Sequence, residues 1–486
     1  MKANFKTTAY SVARKHLNAA SLFIIIGLVF GSFFVLKTPP LWGVDETSHI
    51  ARAYQVSGGH VFGQKLTNVQ PRGGGYGGKI PQSLGNLITY VDINLETTGN
   101  ISGKNSSEYS KLDAFPLNDT KTVEYAFPNT VPYSPVAYLP SAVAIKIASM
   151  FNLSIGTTIY FARFFSLFAY ILIVYLAIRA LGSTRFKWVV FIVALLPTTV
   201  AQASVITADT MTNAVAILTI ALIIKGWLKQ RFSKTEIAEL VVAAALLPLL
   251  KPTYFVIALL VLLVPNLVLS KSIIKARVIK IGSVAISFVS LTVWSYLTRN
   301  TVNTIAILIP GNNWNLIHPH AQEKLLEHDP LTFVKATTRT FIGSDGTYLN
   351  QLIGVMGFTA ITVPGITLIS YLTAMFLSLG IAERIKLRLS SSIIAFLILI
   401  GGILGILGTL YVTATPVGYP VINEITGRYF VPYLLLLLAL IAANTRLRHS
   451  QYFNSKVAIV GLVIIGLLFS CLKYQYFIYH GLAYHS

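Results

Sequence analysis

The sequence predicts an all-α integral membrane protein, a bundle of about eleven transmembrane helices. Of its 486 residues, 54% are hydrophobic and 11% are charged, and the mean hydropathy is +0.67. Apolar runs of about 15 to 25 residues recur along the chain, which is the length needed to cross the hydrocarbon core of a bilayer. Short basic clusters and two long polar stretches separate these runs.

The predicted spans begin with residues 17–36, which follow a basic start. This run is longer than the apolar core of a signal peptide and lacks an A-x-A-like cleavage site, so we expect a retained anchor. The other ten spans are predicted at residues 158–180, 188–206, 210–227, 236–250, 253–270, 279–297, 360–382, 389–412, 429–445 and 456–473.

A further apolar stretch, residues 134–151, decides the predicted orientation. If it does not cross, 21 of the 38 Lys and Arg residues lie on the same side as the N-terminus. Since basic residues are biased toward the cytoplasm, we expect a juxtamembrane or re-entrant helix at 134–151 and a cytoplasmic N-terminus. Residues 37–157 and 298–359 are then two large outer loops within a single polytopic domain, residues 1–486. Their Gly, Pro and Asn content predicts irregular segments with short helices.

Composition excludes several classes of function. Cys471 is the single cysteine, so neither an internal disulfide nor a CxxC site is expected. The net charge of +21 is dispersed between apolar runs, which argues against a nucleic-acid partner. In the predicted topology, 14 of the 17 acidic residues lie outside. Because carboxylates are the usual acids, bases and hard-metal ligands, we expect any chemistry on the outer face.

A cluster of polar residues follows the first span, in the segment VDETSHIARAYQVSGG at 44–59. The pattern predicts a short helix that begins near Asp45 and ends at the glycine pair. At 100° per residue, Asp45, His49 and Arg52 lie within about 60° of arc. Two interpretations follow: an interfacial amphipathic helix that presents an acid, an imidazole and a cation together, or an Asp45 N-cap followed by a solvated face.

Asp209 and Lys251 lie at the ends of predicted spans. Asp209 either caps the helix that follows or is a functional ionisable residue at membrane depth. Lys251 stands between two short apolar runs, before a proline. It either snorkels to the interface or contacts a phosphate, which suits a compact ammonium group.

Two arginines offer similar alternatives. Arg428 opens the tenth span beside Tyr429. It either pairs with Glu424 within a belt of aromatic residues or binds a phosphate through its guanidinium fork. Arg163 lies about one turn into the second span, where it either snorkels or meets a lipid phosphate.

Five segments resemble, in order and spacing, the GT-C superfamily of integral-membrane glycosyltransferases, and within it an uncharacterised bacterial family of polytopic proteins. They are PPLWGVDETSHIARAYQVSGG at 39–59, YSPVAYLP at 133–140, QASVITADTMTNA at 202–214, LLKPTYF at 249–255 and TGRYFVPYL at 426–434. The resemblance implies a GT-C-like bundle whose large outer loops carry juxtamembrane helices.

It also implies an enzyme that moves a sugar from a polyprenyl-phosphate or polyprenyl-diphosphate donor to a cell-surface glycan or lipid-linked acceptor, with inversion, on the outer face of a bacterial cytoplasmic membrane. Asp45 and Glu46 match the acidic catalytic position, and a divalent cation such as Mg or Mn would be held by Asp45, Glu46 and His49. The residues then expected to bind substrate are His49, Arg52, Arg163, Asp209, Lys251, Arg428 and Tyr429.

Two alternatives remain open. The chain could be a transporter or flippase of a lipid-linked glycan, which predicts ionisable residues near the midplane of several spans and broken helices in repeated halves. It could also be a non-catalytic subunit of a glycan assembly complex.

Overall fold

A computed structural model describes residues 18–66, 75–98, 106–118, 120–301, 316–344, 346–357, 361–444 and 452–480. Seven of its helices are long and apolar enough to cross a membrane. They are Ala19–Lys37, Ile155–Ala180, Ala208–Trp227, Ile273–Thr298, Leu389–Thr413, Gly427–Asn444 and Asn454–Ile478. A mostly helical membrane protein is therefore supported.

The helices follow in chain order as α1 (Ala19–Lys37), α2 (Glu46–Ser57), α3 (Gln82–Thr98), α4 (Ser107–Ala114), α5 (Leu139–Met150), α6 (Ile155–Ala180), α7 (Lys187–Ala194), α8 (Pro197–Ala203), α9 (Ala208–Trp227), α10 (Lys234–Leu250), α11 (Phe255–Leu259), α12 (Asn266–Leu269), α13 (Ile273–Thr298), α14 (Pro319–His328), α15 (Leu331–Ile342), α16 (Thr347–Gly354), α17 (Gly365–Ile381), α18 (Leu389–Thr413), α19 (Val431–Asn444) and α20 (Tyr452–His480). Single turns of 3₁₀-helix occupy Pro135–Tyr138, Pro252–Tyr254, Leu260–Leu263 and Gly427–Phe430.

Side-chain caps start four of the long helices where the sequence changes from polar to apolar. Asn18, Ser154, Thr207 and Ser272 each accept a hydrogen bond from a backbone N–H of the first turn of α1, α6, α9 and α13. These bonds satisfy donors that have no partner within the helix. α1, α6 and α9 begin within three residues of their predicted starts, and α13 begins six residues before its predicted start.

Four of the eleven predicted spans are short or interrupted helices. Residues 188–206 form α7 and α8, with Pro197 at the first position of α8. Residues 253–270 form a series of short α and 3₁₀ turns. α10 and α17 have 17 residues each, slightly fewer than the ~20 that usually span a bilayer. The described residues therefore form seven helices of spanning length, and the total of eleven crossings stays a prediction.

The first long loop contains more regular structure than its glycine content suggested. Strands β1 (Gln64–Leu66), β2 (Gly75–Pro81) and β3 (Thr122–Ala126) form an antiparallel sheet in that order. We expected only irregular segments and short helices here, and that was wrong. The sequence of β2 does not alternate between polar and apolar residues, because glycines occupy positions where the backbone of β3 approaches closely. A Cβ on Gly77 would lie 2.0 Å from the carbonyl oxygen of Tyr125.

Residues 134–151 form a 3₁₀ turn followed by α5, which has 12 residues. This length is too short for a regular span and agrees with the juxtamembrane interpretation. α5 packs against both α2 and α6. The second long loop holds α14, α15 and α16, and a small hairpin of β4 (Val355–Met356) and β5 (Ile361–Thr362) follows α16.

The bundle core is centred on α9, whose 18-residue apolar window is entirely buried. α6, α10 and α19 pack around α9, while α1 packs on α6 and α17 pairs with α20. The first turn of α9, the end of α10 and the start of α19 meet beside the N-terminus of α2. One end of the bundle therefore gathers four segments that are far apart in sequence.

Candidate functional site

Asp45 immediately precedes α2, and its backbone is left-handed, with φ 52°. Its carboxylate makes no capping hydrogen bond to the helix. Instead, Arg428 Nη2 donates to Asp45 Oδ2 over 3.0 Å, and the Asp45 side chain is 44% exposed. Asp45 thus occupies the N-cap position without performing the capping that the simpler interpretation required.

Arg428 also approaches a second carboxylate. Its Nε lies 3.5 Å from Asp209 Oδ2, and Lys251 Nζ lies 3.4 Å from Asp209 Oδ1. These contacts form a continuous chain, Asp45, Arg428, Asp209 and Lys251, which we call the ion-pair network. Two carboxylates balance two cations in it, and exposure decreases from 44% at Asp45 to 10–14% at the other three side chains.

The structure does not show the simpler roles considered for Asp209, Arg428 and Lys251, which were helix capping, pairing with Glu424 and snorkelling. Thr207, not Asp209, caps α9, since its hydroxyl accepts from the Asp209 backbone N–H. Among the described residues, Glu424 makes no ion pair with Arg428. Lys251 does not snorkel: it is largely buried against Asp209. Although burial acts to lower the pKa of Lys251, its partners, Asp209 foremost, raise that pKa above its ordinary value.

The aromatic ring of Tyr429 lies against both cations of the network. Lys251 Nζ lies 3.8 Å from the centre of its ring and the Arg428 guanidinium carbon 5.2 Å. The Arg428 Nη2 group also lies 3.4 Å from the Tyr429 hydroxyl. A ring face stabilises a desolvated cation, so Tyr429 holds both charges in place while leaving them capable of binding an anion.

His49 is buried close to the network. Its Nδ1 is 2.7 Å from the Tyr138 hydroxyl, its Nε2 is 3.4 Å from the Thr207 hydroxyl, and its ring stacks on Tyr133. Burial, only partly opposed by Asp45 and Asp209, lowers the pKa of His49 to about 4. His49 is therefore neutral at pH 7, and both ring nitrogens face protein hydroxyl groups.

Glu46 and Arg163 form a separate, completely buried pair. Arg163 Nε donates to Glu46 Oε1 over 2.7 Å, and both side chains have zero exposure. The Glu46 oxygens also accept from the backbone N–H groups of Gly43 and Ile206. Arg163 donates further to three carbonyl groups at the end of α1. Every polar atom here is occupied, which favours a positioning role over contact with substrate for both residues.

Arg52 is also buried and points away from Asp45. It donates to the Gln55 side chain and, over 2.7 and 3.2 Å, to the carbonyl groups of Val61 and Tyr133. Burial lowers the pKa of Arg52 to about 10. The expectation that α2 presents Asp45, His49 and Arg52 together was wrong, because His49 and Arg52 are buried and bonded to protein groups.

The three residues expected to bind a divalent cation do not converge. Glu46 is fully bonded to Arg163 and backbone groups, while the His49 nitrogens face Tyr138 and Thr207. Within the described ranges, no group of three or more His, Cys, Asp or Glu side chains could hold a metal ion. The donor set therefore does not fit the predicted Mg or Mn site.

Of the residues expected at the site, Asp45, Asp209, Lys251, Arg428 and Tyr429 lie together. His49 is hydrogen-bonded close to them, to Tyr138 and Thr207. Glu46, Arg52 and Arg163 instead form hydrogen bonds with backbone groups. Sequence reasoning missed Tyr138 and Thr207 as partners of His49. Both lie inside the YSPVAYLP and QASVITADTMTNA segments quoted above, so their presence in those segments was the available signal.

The family model described as "Predicted membrane protein (DUF2142)" matches residues 28–437. This match covers most of the chain, including the second half of α1, all of α2 and every member of the ion-pair network. The chain therefore belongs to this family of predicted membrane proteins. No curated protein matches it.

Proposed function

We propose that this DUF2142 family member is a membrane glycosyltransferase. It would move a sugar from a polyprenyl-phosphate or polyprenyl-diphosphate donor to a cell-surface glycan or lipid-linked acceptor. The observation that carries the proposal is the ion-pair network: an exposed Asp45 carboxylate stands beside two largely buried cations, Arg428 and Lys251, at the end of a membrane-type helix bundle. The bias of the basic clusters toward the other end supports an outer-face location for this end.

The two cations suit a phosphate group held at the membrane surface. Arg428 offers a planar guanidinium fork and Lys251 a compact ammonium group, and the Tyr429 ring supports both. In the proposed reaction, negative charge develops on the leaving phosphate as its bond to the sugar breaks. Fixed cations stabilise that charge without reorganising, since Asp209 already holds them.

Asp45 is the proposed base. An acceptor hydroxyl oxygen attacks the anomeric carbon, Asp45 takes the hydroxyl proton, and the bond from the anomeric carbon to the phosphate oxygen breaks with its electron pair going to the phosphate. General-base assistance of this kind contributes roughly 10² to 10⁴ in rate. Its 44% exposure gives the Asp45 carboxylate access to an acceptor arriving from water.

The remaining polar residues hold this geometry. Glu46 and Arg163 connect the start of α2 to α1 and to the segment before α9. Arg52 connects α2 to the carbonyl groups of the first loop. His49 connects α2 to Thr207, the cap of α9. The position of Asp45 relative to Asp209 and Arg428 therefore depends on these hydrogen bonds, which involve residues outside the ion-pair network.

The transporter alternative predicts ionisable residues near the midplane of several spans. The network instead occupies the ends of α9, α10 and α19, where it meets the long loops. This placement suits chemistry at the membrane surface better than passage through the bundle.

The test is genetic replacement in the host. The protein is deleted and restored as the native form, Asp45→Asn or Glu424→Gln at equal membrane abundance, and the sugar composition and linkages of the surface glycan are determined. Asn tolerates the left-handed backbone of Asp45, and Glu424→Gln is an equal charge change at an exposed neighbour.

Loss of one sugar branch on deletion, restored by the native and Glu424→Gln proteins but not by Asp45→Asn, supports the transferase. Equal restoration by Asp45→Asn contradicts the role of Asp45 as the base. Loss of whole polymer, with its precursor accumulating inside, favours transport.

A further inference from the structure

We propose that the ion pair between Asp45 and Arg428 is a latch that the donor phosphate opens. In the structure, Arg428 binds the Asp45 carboxylate, and the phosphate would replace that carboxylate on Arg428. The base is then released only when a donor is bound. This inference rests on the proposed function, because it concerns the same two residues and assigns an order to their use.

Arg428 has unused binding capacity. Its Nη2 donates to Asp45, but its Nε is buried and has no hydrogen-bond partner among the described residues, although Asp209 Oδ2 lies 3.5 Å away. A buried donor without a close partner costs free energy, so Asp45 and Asp209 do not saturate Arg428. An anion can take the position on Nη2 that Asp45 now occupies.

Asp45 is the partner that an anion can displace. Asp209 is 14% exposed and is also held by Lys251, whereas Asp45 is 44% exposed. Within the described part of the chain, the Asp45 carboxylate has one hydrogen bond, from Arg428, and it does not cap α2. It can therefore turn away from Arg428 without breaking a second bond.

The exchange has a direct chemical consequence. While Asp45 Oδ2 accepts a hydrogen bond from Arg428, the carboxylate is held against that cation and not against an acceptor hydroxyl. Once phosphate occupies Arg428, the Asp45 carboxylate is released beside the sugar that the phosphate carries. The same event thus places the leaving group on its cations and frees the Asp45 carboxylate to turn toward the acceptor.

The latch makes an unusual prediction, that removing the base tightens donor binding. The probe is fluorescent decaprenyl phosphate, titrated in the presence of a chelator into nanodiscs that contain the full-length native protein, Asp45→Asn or Glu424→Gln. Asp45→Asn removes the competitor for Arg428, so we expect it to bind roughly 2- to 5-fold more tightly than the native protein, the range for a partly exposed ion pair. Fluorescent decaprenol, which lacks the phosphate, should bind all three proteins equally.

Glu424→Gln is the matched control, because it removes one negative charge near Arg428 without removing a described ion pair. A smaller gain in affinity for Glu424→Gln than for Asp45→Asn supports direct competition. If the two variants bind decaprenyl phosphate equally, or if Asp45→Asn binds no more tightly than the native protein, the latch is overturned while the proposed transferase stands.

A different result overturns the donor class itself. If native protein binds decaprenyl phosphate no better than decaprenol, Arg428 and Lys251 do not recognise a lipid phosphate. The proposed function then fails, and the latch fails with it. Comparing the thermal unfolding of the three proteins checks that each is folded.

Discussion

Glu46 and Arg163, 117 positions apart in the sequence, form an ion pair in which neither side chain is exposed. The pair joins the start of α2 to α6, next to the residue proposed as the base. Adjacent acidic residues in the sequence therefore have opposite environments: Asp45 is open to solvent and Glu46 is enclosed. This separation supports several predictions.

Glu46→Gln should destabilise the protein by about 3–5 kcal/mol, because it leaves the buried guanidinium of Arg163 without a counter-charge. Thermal unfolding in detergent measures the effect. Glu424→Gln, at an exposed position, should change stability little. If both substitutions lower the unfolding midpoint equally, the Glu46 pair does not have the stabilising role assigned to it.

His49 should make stability fall as the solution becomes acidic. Its folded-state pKa of about 4 lies below the ordinary value of 6.5, so the unfolded state binds the proton more tightly. The loss should begin as pH falls below about 6.5 and reach roughly 3 kcal/mol near pH 4.

The measurement is the unfolding midpoint against pH for native protein and His49→Gln. The variant cannot titrate at this position, so its curve should be flatter between pH 6.5 and 4. Parallel curves would show that His49 is not the group responsible.

Lys251→Gln should lower sugar transfer by about 10²–10³-fold, the usual cost of removing one fixed group that stabilises developing charge. Lys225→Gln is the control: Lys225 forms an ion pair with Glu236 at the opposite end of α9 and should leave transfer unchanged. Transfer from a radiolabelled lipid-linked donor by membranes of equal protein content measures both. Equal activity of Lys251→Gln and native protein would remove Lys251 from the phosphate site.

Gly427→Ala should displace Arg428 from the network. A Cβ on Gly427 would lie 2.2 Å from the carbonyl oxygen of Tyr348 and 2.5 Å from the backbone nitrogen of Leu352. Neither backbone atom can move without shifting α16, so we expect a loss of about 1–3 kcal/mol in stability together with reduced transfer.

Gly405→Ala provides the comparison, since a Cβ there meets nothing within 4 Å. It should be neutral or stabilise α18 by up to about 1 kcal/mol. Thermal unfolding of the two variants, beside their transfer rates, separates packing at the site from a general effect of replacing glycine. Equal behaviour of both would contradict the close packing of Gly427 on α16.

The sequence alone singled out the polar residues that meet in the structure, because charges are rare in this chain and their positions at the ends of apolar runs are easily seen. Asp45, Asp209, Lys251 and Arg428 each stand at such an end, and the charge bias predicts that all four share one side of the membrane. The helical bundle and the short helix after Asp45 follow from apolar run length and from the glycine pair, both of which are local properties.

Only the tertiary structure decided what each residue does. Glu46, Arg52 and Arg163 have the same side-chain chemistry as members of the ion-pair network, and neither spacing nor composition distinguishes them. Burial and the carbonyl groups of distant segments do, since they satisfy these charges inside the protein. The sheet around Gly77 was missed for a related reason: strand pairing depends on contacts between segments about 50 residues apart, which leave no periodic pattern in either segment.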